Sequence, residues 1–224
     1  MKTIRASSKA EPAAGASGEF VLQEQDLALL SRHAAQQTYP KNAVIINEGD
    51  DNDLIYIIRV GRVKVFVSDG NGRDVVLNVH GPGEYFGEMV LDEGPRSASV
   101  MTLEPARLLL ISKVDFRRIV LAHPDFTMRF IGRLMHRVRA LTQNVRNLAL
   151  LDVYGRVARL LLEIAVEQDG RLVIPHKLTQ KNIAERVGAS REMVSRVLKD
   201  LTVGGYIKVE TKRIIIMRDL PERW

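Results

Sequence analysis

The sequence predicts an α+β chain built in three successive parts: a small antiparallel barrel or jelly roll, one long helix, and a helix-turn-helix closed by a β-hairpin. Three observations carry that prediction. Short β-branched and apolar runs punctuated by glycine fill the stretch from Ala43 to Ile111. An apolar repeat of seven residues runs through Asp125–Leu151, and a compact helix-turn-helix signature spans Gln180–Leu198.

Taken in chain order, Met1 to about Glu19 is rich in Ala, Ser, Gly and Pro and lacks a periodic apolar pattern, so it reads as a mobile tail. Over Gln23–Ala35, Leu27, Leu29, Leu30 and Ala34 recur at roughly helical spacing, with Asp26 placed to assist the start of a short helix. The strand candidates are Val44–Ile46, Leu54–Ile58, Val63–Val67, Val75–Val79 and Arg107–Ile111, with Gly49, Gly61, Gly70, Gly72, Gly81, Gly83 and Gly94 between or beside them. Val63, Val65 and Val67 alternate, the period of a strand with one buried face. Many short strands at this spacing suit a small antiparallel barrel.

In the long helix, Ile131, Leu134, Val138, Leu141, Val145 and Leu148 follow one another at alternating steps of three and four residues. No glycine follows Gly132 and no proline interrupts; Arg129, Arg133, Arg137, Arg139 and Arg146 occupy other positions around the helix. A seam of this kind pairs with a second helix as in a coiled coil. The alternative is an amphipathic helix lying on its own barrel, and the strict seven-residue repeat favours the dimer.

The C-terminal signature is a set of local constraints. Ile183 and Val187 form the buried face of a first helix, Ala184 is small where a second helix crosses, and Gly188 comes where the chain must turn with positive φ. Ser190 caps the second helix, whose buried face is Val194 and Val197. The outward face near the start of that helix carries Arg191, Glu192 and Arg196, chemistry that pairs with guanine and with the cytosine amino group. Thr179 at the start of the first helix and Lys199 further along the second suit phosphate. Surface ion pairing is the competing reading of the same charges. Ile207–Val209 and Ile214–Ile216 then flank a charged turn, a wing with Lys212 and Arg213 at its tip.

A second segment with chemistry is Gly83–Ser99. Two glycines permit close backbone approach, a short helical turn follows, and Arg96-Ser97 closes it. Backbone N–H groups, a guanidinium and a hydroxyl suit a phosphate, and Glu88 suits a ribose hydroxyl. From the residues alone, an Arg96–Glu88 salt bridge of purely structural meaning is an equal alternative.

Charge is unevenly divided. Residues 1–124 carry a net −2, residues 125–152 a net +3 and residues 153–224 a net +5, so the excess of positive charge lies where a polyanion would meet the second half. The absence of cysteine excludes disulfides, thiolate-held zinc, cysteine-ligated clusters and a cysteine nucleophile. No apolar run is long enough for a membrane span and the N-terminus lacks a secretory apolar core, which predicts a soluble, cytoplasmic protein with no membrane partner. No nucleophile elbow, His-Glu-x-x-His or Walker loop is present, so no catalytic residues are assigned and no enzyme is expected. No metal site is expected either. His80 alone would be a candidate haem ligand, and a lone histidine near a strand end is far more often structural.

With these residues in view, the sequence resembles the cyclic-AMP receptor protein and FNR family of bacterial regulators from about Phe20 to Met217. The resemblance is most specific in Gly87-Glu88, Arg96-Ser97-Ala98, Asn147–Asp152 and Ser190–Arg196. It implies an N-terminal cyclic-nucleotide-binding β-roll (residues 20–124, after the tail of residues 1–19), a dimerisation helix (125–152) and a winged helix-turn-helix (153–224). It further implies that Gly87 and Glu88 meet the sugar of a cyclic nucleotide, that Arg96 and Ser97 hold its phosphate, that Arg137 approaches the same pocket and that Thr142 reaches the base. Arg191, Glu192 and Arg196 match residues that read TGTGA-like half-sites, which implies a two-fold dimer on a TGTGA/TCACA palindrome in double-stranded DNA, with RNA polymerase as a further partner. Cyclic AMP is the expected allosteric ligand. Leu141 departs from the family where the cyclic-AMP proteins often place a second base-contacting hydroxyl, Asp92–Pro95 is short, and so is the loop at Gln168–Arg171 that can touch polymerase. Cyclic di-GMP, or no ligand, is the alternative within the family. A nucleotide-sensing subunit that controls a protein rather than DNA is the alternative outside it.

Overall fold

The computed structural model describes Thr3–Ile4 and residues 21–70, 72, 74–92, 94–175, 178–211 and 213–221. Two compact units result, one within Ser17–Ala140 and the other within Leu141–Trp224 together with the Thr3–Ile4 strand. The division falls inside the long helix rather than at either end of it.

In chain order the elements are β1 (Thr3–Ile4), α1 (Glu24–Ser31), β2 (Ala35–Tyr39), β3 (Val44–Ile46), β4 (Leu54–Val60), β5 (Val63–Ser68), β6 (Asp74–His80) and β7 (Tyr85–Phe86). A 3-10 turn at Glu88–Leu91, β8 (Ser99–Thr102), β9 (Ala106–Ser112), α2 (Lys113–Ala122) and α3 (Pro124–Leu150) complete the first half. Then come α4 (Val153–Ile164), β10 (Val166–Gln168), β11 (Arg171–Ile174), α5 (Gln180–Val187), α6 (Arg191–Val203), β12 (Ile207–Val209), β13 (Ile214–Ile216) and β14 (Leu220–Pro221).

Strands β2 to β9 form two antiparallel four-stranded sheets, ordered β2-β9-β4-β7 and β3-β8-β5-β6. The run Leu54–Ile58 is apolar throughout because this part of β4 is covered on both faces, whereas Arg59 and Val60 at its end are exposed. Ile55 and Ile57 face the helices with Phe116, Phe126 and Phe130, while Tyr56 and Ile58, with Phe86 of the neighbouring β7, face Val63 and Val100 of the other sheet. At roughly 25 cal/mol per Å² of apolar surface, each of these fully covered side chains contributes about 1.5–3 kcal/mol. Ser112 caps α2 by accepting from the Asp115 N–H, and Pro124 occupies the first position of α3, where no N–H is needed.

The second unit packs α4, α5 and α6 through Val157, Leu161, Ile183, Val194 and Leu201, all essentially inaccessible to solvent. A four-stranded antiparallel sheet of order β10-β11-β13-β12 continues that core through Ile174, Ile207 and Ile214. The predicted hairpin is therefore the outer half of a larger sheet. Its inner half, β10–β11, turns at Asp169 and Gly170, both with positive φ.

Several sequence expectations are corrected. The alternation Val63-Val65-Val67 suggested one buried face, but Lys64 and Phe66 on the opposite face are buried as well, at 8% and 7% exposure. Lys64 tolerates this because its ammonium lies 2.7 Å from Asp74 and over the Phe66 ring. The first helix stops at Ser31, and Ala35 begins a strand paired with Leu110. Asp26 does lie in the first turn of that helix, as expected, but its carboxylate is taken by two arginines of α3. Between α4 and α5, where no strand is expected from the sequence, the chain forms β10 and β11. Within the expected tail, Thr3–Ile4 pairs with Leu220–Pro221; its other residues, and Lys212 of the expected wing tip, lie outside the described residues.

Candidate functional site

Gly87, Glu88, Arg96 and Arg137 come together around the end of β7. Gly87 has φ +82°, and a Cβ there would lie 3.0 Å from Arg96 Nη1 and 3.1 Å from the Leu54 carbonyl oxygen. Only glycine fits this backbone against this guanidinium.

Arg96 is 5% exposed. Its Nη1 donates to the Gly87 carbonyl at 2.7 Å and its Nη2 to the Leu54 carbonyl at 2.6 Å and to Asn52 Oδ1. Its Nε is buried and has no hydrogen-bond partner among the described residues. Burial draws the guanidinium below the ordinary arginine value, against the opposing fields of Tyr56, Glu88, Asp53 and Asp50. The neighbouring Ser97 is exposed.

Arg96 is not paired to Glu88, as the structural reading of the sequence allowed. Glu88 is paired instead with Arg137, whose Nη1 donates to Oε1 at 2.8 Å while both side chains are mostly covered. Arg137 also donates to the Tyr85 carbonyl and lies 4.2 Å over the Tyr85 ring. Burial pushes the Tyr85 phenol up to about 12. The segment Tyr85–Glu88 is thus held between two guanidiniums, one from the loop before β8 and one from α3. Thr142, further along α3, is exposed and belongs to the second unit. His80 is buried with its Nδ1 2.8 Å from the Glu84 carboxylate, which also accepts from the Gly81 N–H.

In the second unit, Thr179 and Asn182 form a reciprocal capping box at the start of α5, and Gly188 ends it at φ +64°. The Ser190 hydroxyl accepts from the Met193 N–H at the start of α6. Arg191, Glu192, Arg196 and Lys199 are all exposed on α6. None of the three cations is engaged in an ion pair among the described residues. The Glu192 carboxyl lies below its ordinary range because its own backbone N–H and the Ser190 hydroxyl stabilise the charged form. At the wing, Arg213 donates to Glu210 at 2.7 Å, with Lys208 2.9 Å from the same carboxylate.

Five of the six seam residues are exposed, from Ile131 at 41% to Val145 at 65%; Leu134 alone packs on the roll. Sequence reasoning missed Asn52 and Tyr85, the groups that seat the two guanidiniums. Asn52 stands 44 residues from Arg96 in a polar turn with no periodic signal.

Comparison with known proteins agrees with the order of the two domains along the chain. A cyclic nucleotide-binding domain model matches residues 36–123, and a Crp-like helix-turn-helix domain model matches residues 155–222. The chain is 33% identical over 195 residues to a CRP-like cAMP-activated global transcriptional regulator of Mycobacterium tuberculosis, covering 85% of this chain and 87% of the relative. It is 33% identical over 190 residues to the cAMP-activated global transcriptional regulator CRP of Salmonella typhimurium, covering 82% and 90%. Among solved structures, the c-di-GMP-responsive global regulator CLP of Xanthomonas campestris superposes with a TM-score of 0.75 at 25% identity, covering 86% of this chain and 98% of that one. No described helix is long and apolar enough to cross a membrane. With a cyclic nucleotide-binding domain followed by a Crp-like helix-turn-helix, this chain belongs to the CRP/FNR family of transcription regulators.

Proposed function

We propose that the protein is a homodimeric, cytoplasmic bacterial regulator that binds a TGTGA-like palindrome under control of a cyclic nucleotide, cyclic AMP foremost. It acts without catalysis and has RNA polymerase as a further partner. The observation that carries the ligand half is the orphaned Nε–H of Arg96. A buried cation with an unsatisfied donor is costly unless an anion meets it, and a cyclic phosphate supplies both acceptor and charge. Ser97 adds a hydroxyl beside it, Gly87 and Glu88 offer backbone and carboxylate to the sugar, and Arg137 closes the site from α3. Thr142 is assigned to the base.

For the DNA half, Arg191, Glu192 and Arg196 read base edges, while Thr179, Ser190 and Lys199 hold phosphates. The exposed stripe Ile131, Val138, Leu141, Val145 and Leu148 is the dimer seam, whose two-fold axis sets paired α6 helices one DNA turn apart. A ligand that touches both the Arg96 loop and Arg137 of α3 shifts the dimer toward the DNA-competent arrangement by the difference in its affinity for the two states. A tenfold rise in operator affinity takes ~1.4 kcal/mol, which one charge-assisted hydrogen bond supplies.

A second ligand reading, cyclic di-GMP, is favoured by one specific likeness, that to the c-di-GMP-responsive CLP, and by Leu141 standing where a base-contacting hydroxyl is expected. Calorimetry with cyclic AMP, cyclic GMP and cyclic di-GMP, coupled to anisotropy on a TGTGA palindrome, decides between them. Binding of cyclic AMP with a matching gain in operator affinity supports the first reading. Binding of cyclic di-GMP alone replaces it with the second, and equal affinity for random and palindromic duplexes overturns the DNA assignment.

A further inference from the structure

Asp26 is an ionised group in the roll unit with no place in the assignments above. It is 1% exposed, and its carboxylate accepts from Arg129 Nη2 at 2.6 Å, Arg129 Nε at 3.2 Å and Arg133 Nη2 at 2.9 Å. The two guanidiniums hold it below the ordinary carboxylate value even though burial, the largest influence, pushes the other way. Arg133 is itself buried, and its Nη1 has no partner among the described residues. A buried fork with an unsatisfied donor is poorly built for stability, because apolar replacements of the same volume usually do as well. What such a fork supplies is direction.

The apolar contacts at the start of α3 supply little of it. Phe126 and Phe130 pack on Phe116, and Phe130 on Tyr85, at centroid distances of 5.1 to 5.9 Å. Ring-on-ring packing holds a helix down but tolerates small rotations about its axis. Arg129, Arg133 and Arg137 recur every four residues, so they line one face of α3 and turn together. The first two are fixed by Asp26 of α1; the third reaches Glu88 and stacks on Tyr85. We infer that Asp26 is a positioning residue: through Arg129 and Arg133 it sets the rotation of α3 on the roll, and thereby holds Arg137 at Glu88. The consequence for nucleotide binding rests on the proposed role of Glu88 and Arg137; the positioning itself does not.

The test uses the full chain with ¹⁵N-labelled arginine, in which the Arg137 Nε–H signal is identified by its loss in Arg137→Lys. The Tyr85 ring beneath Arg137 shifts that signal away from those of exposed arginines. Asp26→Asn leaves Arg133 buried and unpaired and is prone to unfold, so the informative variant is Asp26→Asn/Arg133→Gln, which removes both buried charges. In this double variant the Arg137 signal moves to the position of exposed arginines, and cyclic AMP affinity falls about tenfold, or ~1.4 kcal/mol. Placed in an Arg137→Gln background, the same two changes cause no further loss of affinity, whereas a general structural effect would add. An unmoved Arg137 signal in the folded double variant overturns the inference, whatever happens to affinity, and so does full additivity. If the signal moves but the parent protein binds no nucleotide, the positioning role stands and the nucleotide reading of the site falls.

Discussion

Glu88 and Arg137 form a salt bridge of 2.8 Å that is largely shielded from water, joining the turn after β7 to the long helix. Because Arg137 also covers Tyr85, the pair has one geometry rather than many. A sugar hydroxyl approaching Glu88 meets a carboxylate already oriented. Glu88→Gln keeps the shape but removes the charge, and a hydrogen bond to a charged group contributes about 1.5–3 kcal/mol. We therefore expect nucleotide affinity to fall by about 10- to 100-fold in calorimetry, with the roll still folded by circular dichroism.

Gly87→Ala tests the seat of Arg96. The added methyl would lie 3.0 Å from Arg96 Nη1 and 3.1 Å from the Leu54 carbonyl, at a φ that alanine rarely adopts. The strain is expected to cost about 1–3 kcal/mol of stability and to displace the guanidinium, so ligand response is lost along with some thermal stability. Retention of full nucleotide affinity would mean that Arg96 does not hold the phosphate.

How much of this was legible beforehand depended on the range of the interaction. The helix-turn-helix was readable because its constraints are local: the buried Ile183 and Val187, the turn at Gly188 and the cap at Ser190 all fall within eight residues. The apolar repeat of α3 was equally plain, since a seven-residue period needs no knowledge of its surroundings, and five of its six residues are exposed. Within the roll, strands β2, β7 and β8 were missed, two of them too short to show a period and the third, Ala35–Tyr39, polar and exposed along most of its length. Arg96 was singled out as a cation for phosphate, but two of its three acceptors, Asn52 and the Leu54 carbonyl, are more than forty residues away in sequence. Asp26 looked like a helix-start residue because nothing local betrays two arginines over a hundred residues downstream.

The Asp26 fork gives stability a defined pH dependence. A carboxyl whose folded value lies below the ordinary 3.8 stabilises the fold fully above that value, and the contribution fades as pH falls through the lower folded value. Asp26→Asn breaks a buried pair and should cost about 3–5 kcal/mol at pH 7. In urea titrations the gap between parent and variant is expected to be constant from pH 6 to pH 8, within ~0.5 kcal/mol, and to narrow below about pH 4. A gap that persists unchanged into acid would show that the asparagine disturbs packing rather than charge.

The stripe on α3 separates dimer formation from ligand binding. Val145 and Leu148 are 65% and 53% exposed and lie beyond Ala140, where the roll unit ends, so Val145→Glu/Leu148→Glu adds like charges to the proposed partner interface without touching the roll. Sedimentation should report a monomer, and operator affinity should drop by at least about a hundredfold because paired half-sites are no longer read together. A variant that stays dimeric would mean that these two positions lie outside the interface.

Arg191 and Lys199 should fail in different ways, although both are exposed cations on the same helix. Arg191 lies in the first turn of α6, where a guanidinium can pair bidentately with a guanine edge; Arg191→Ala is expected to cost about 1–3 kcal/mol on the palindrome and to relax preference at one base pair per half-site. Lys199 lies two turns on, and its proposed partner is a phosphate. Lys199→Ala should weaken all duplexes alike and lower the slope of log K against log salt by about 0.9 for each protomer. Anisotropy on a panel of single-base operator variants, repeated at several salt concentrations, reads both effects in one experiment. A uniform loss for Arg191→Ala would move that residue from reading bases to holding the backbone. The specificity would then have to reside in Glu192 and Arg196, because they are the other exposed charged side chains in the first two turns of the helix.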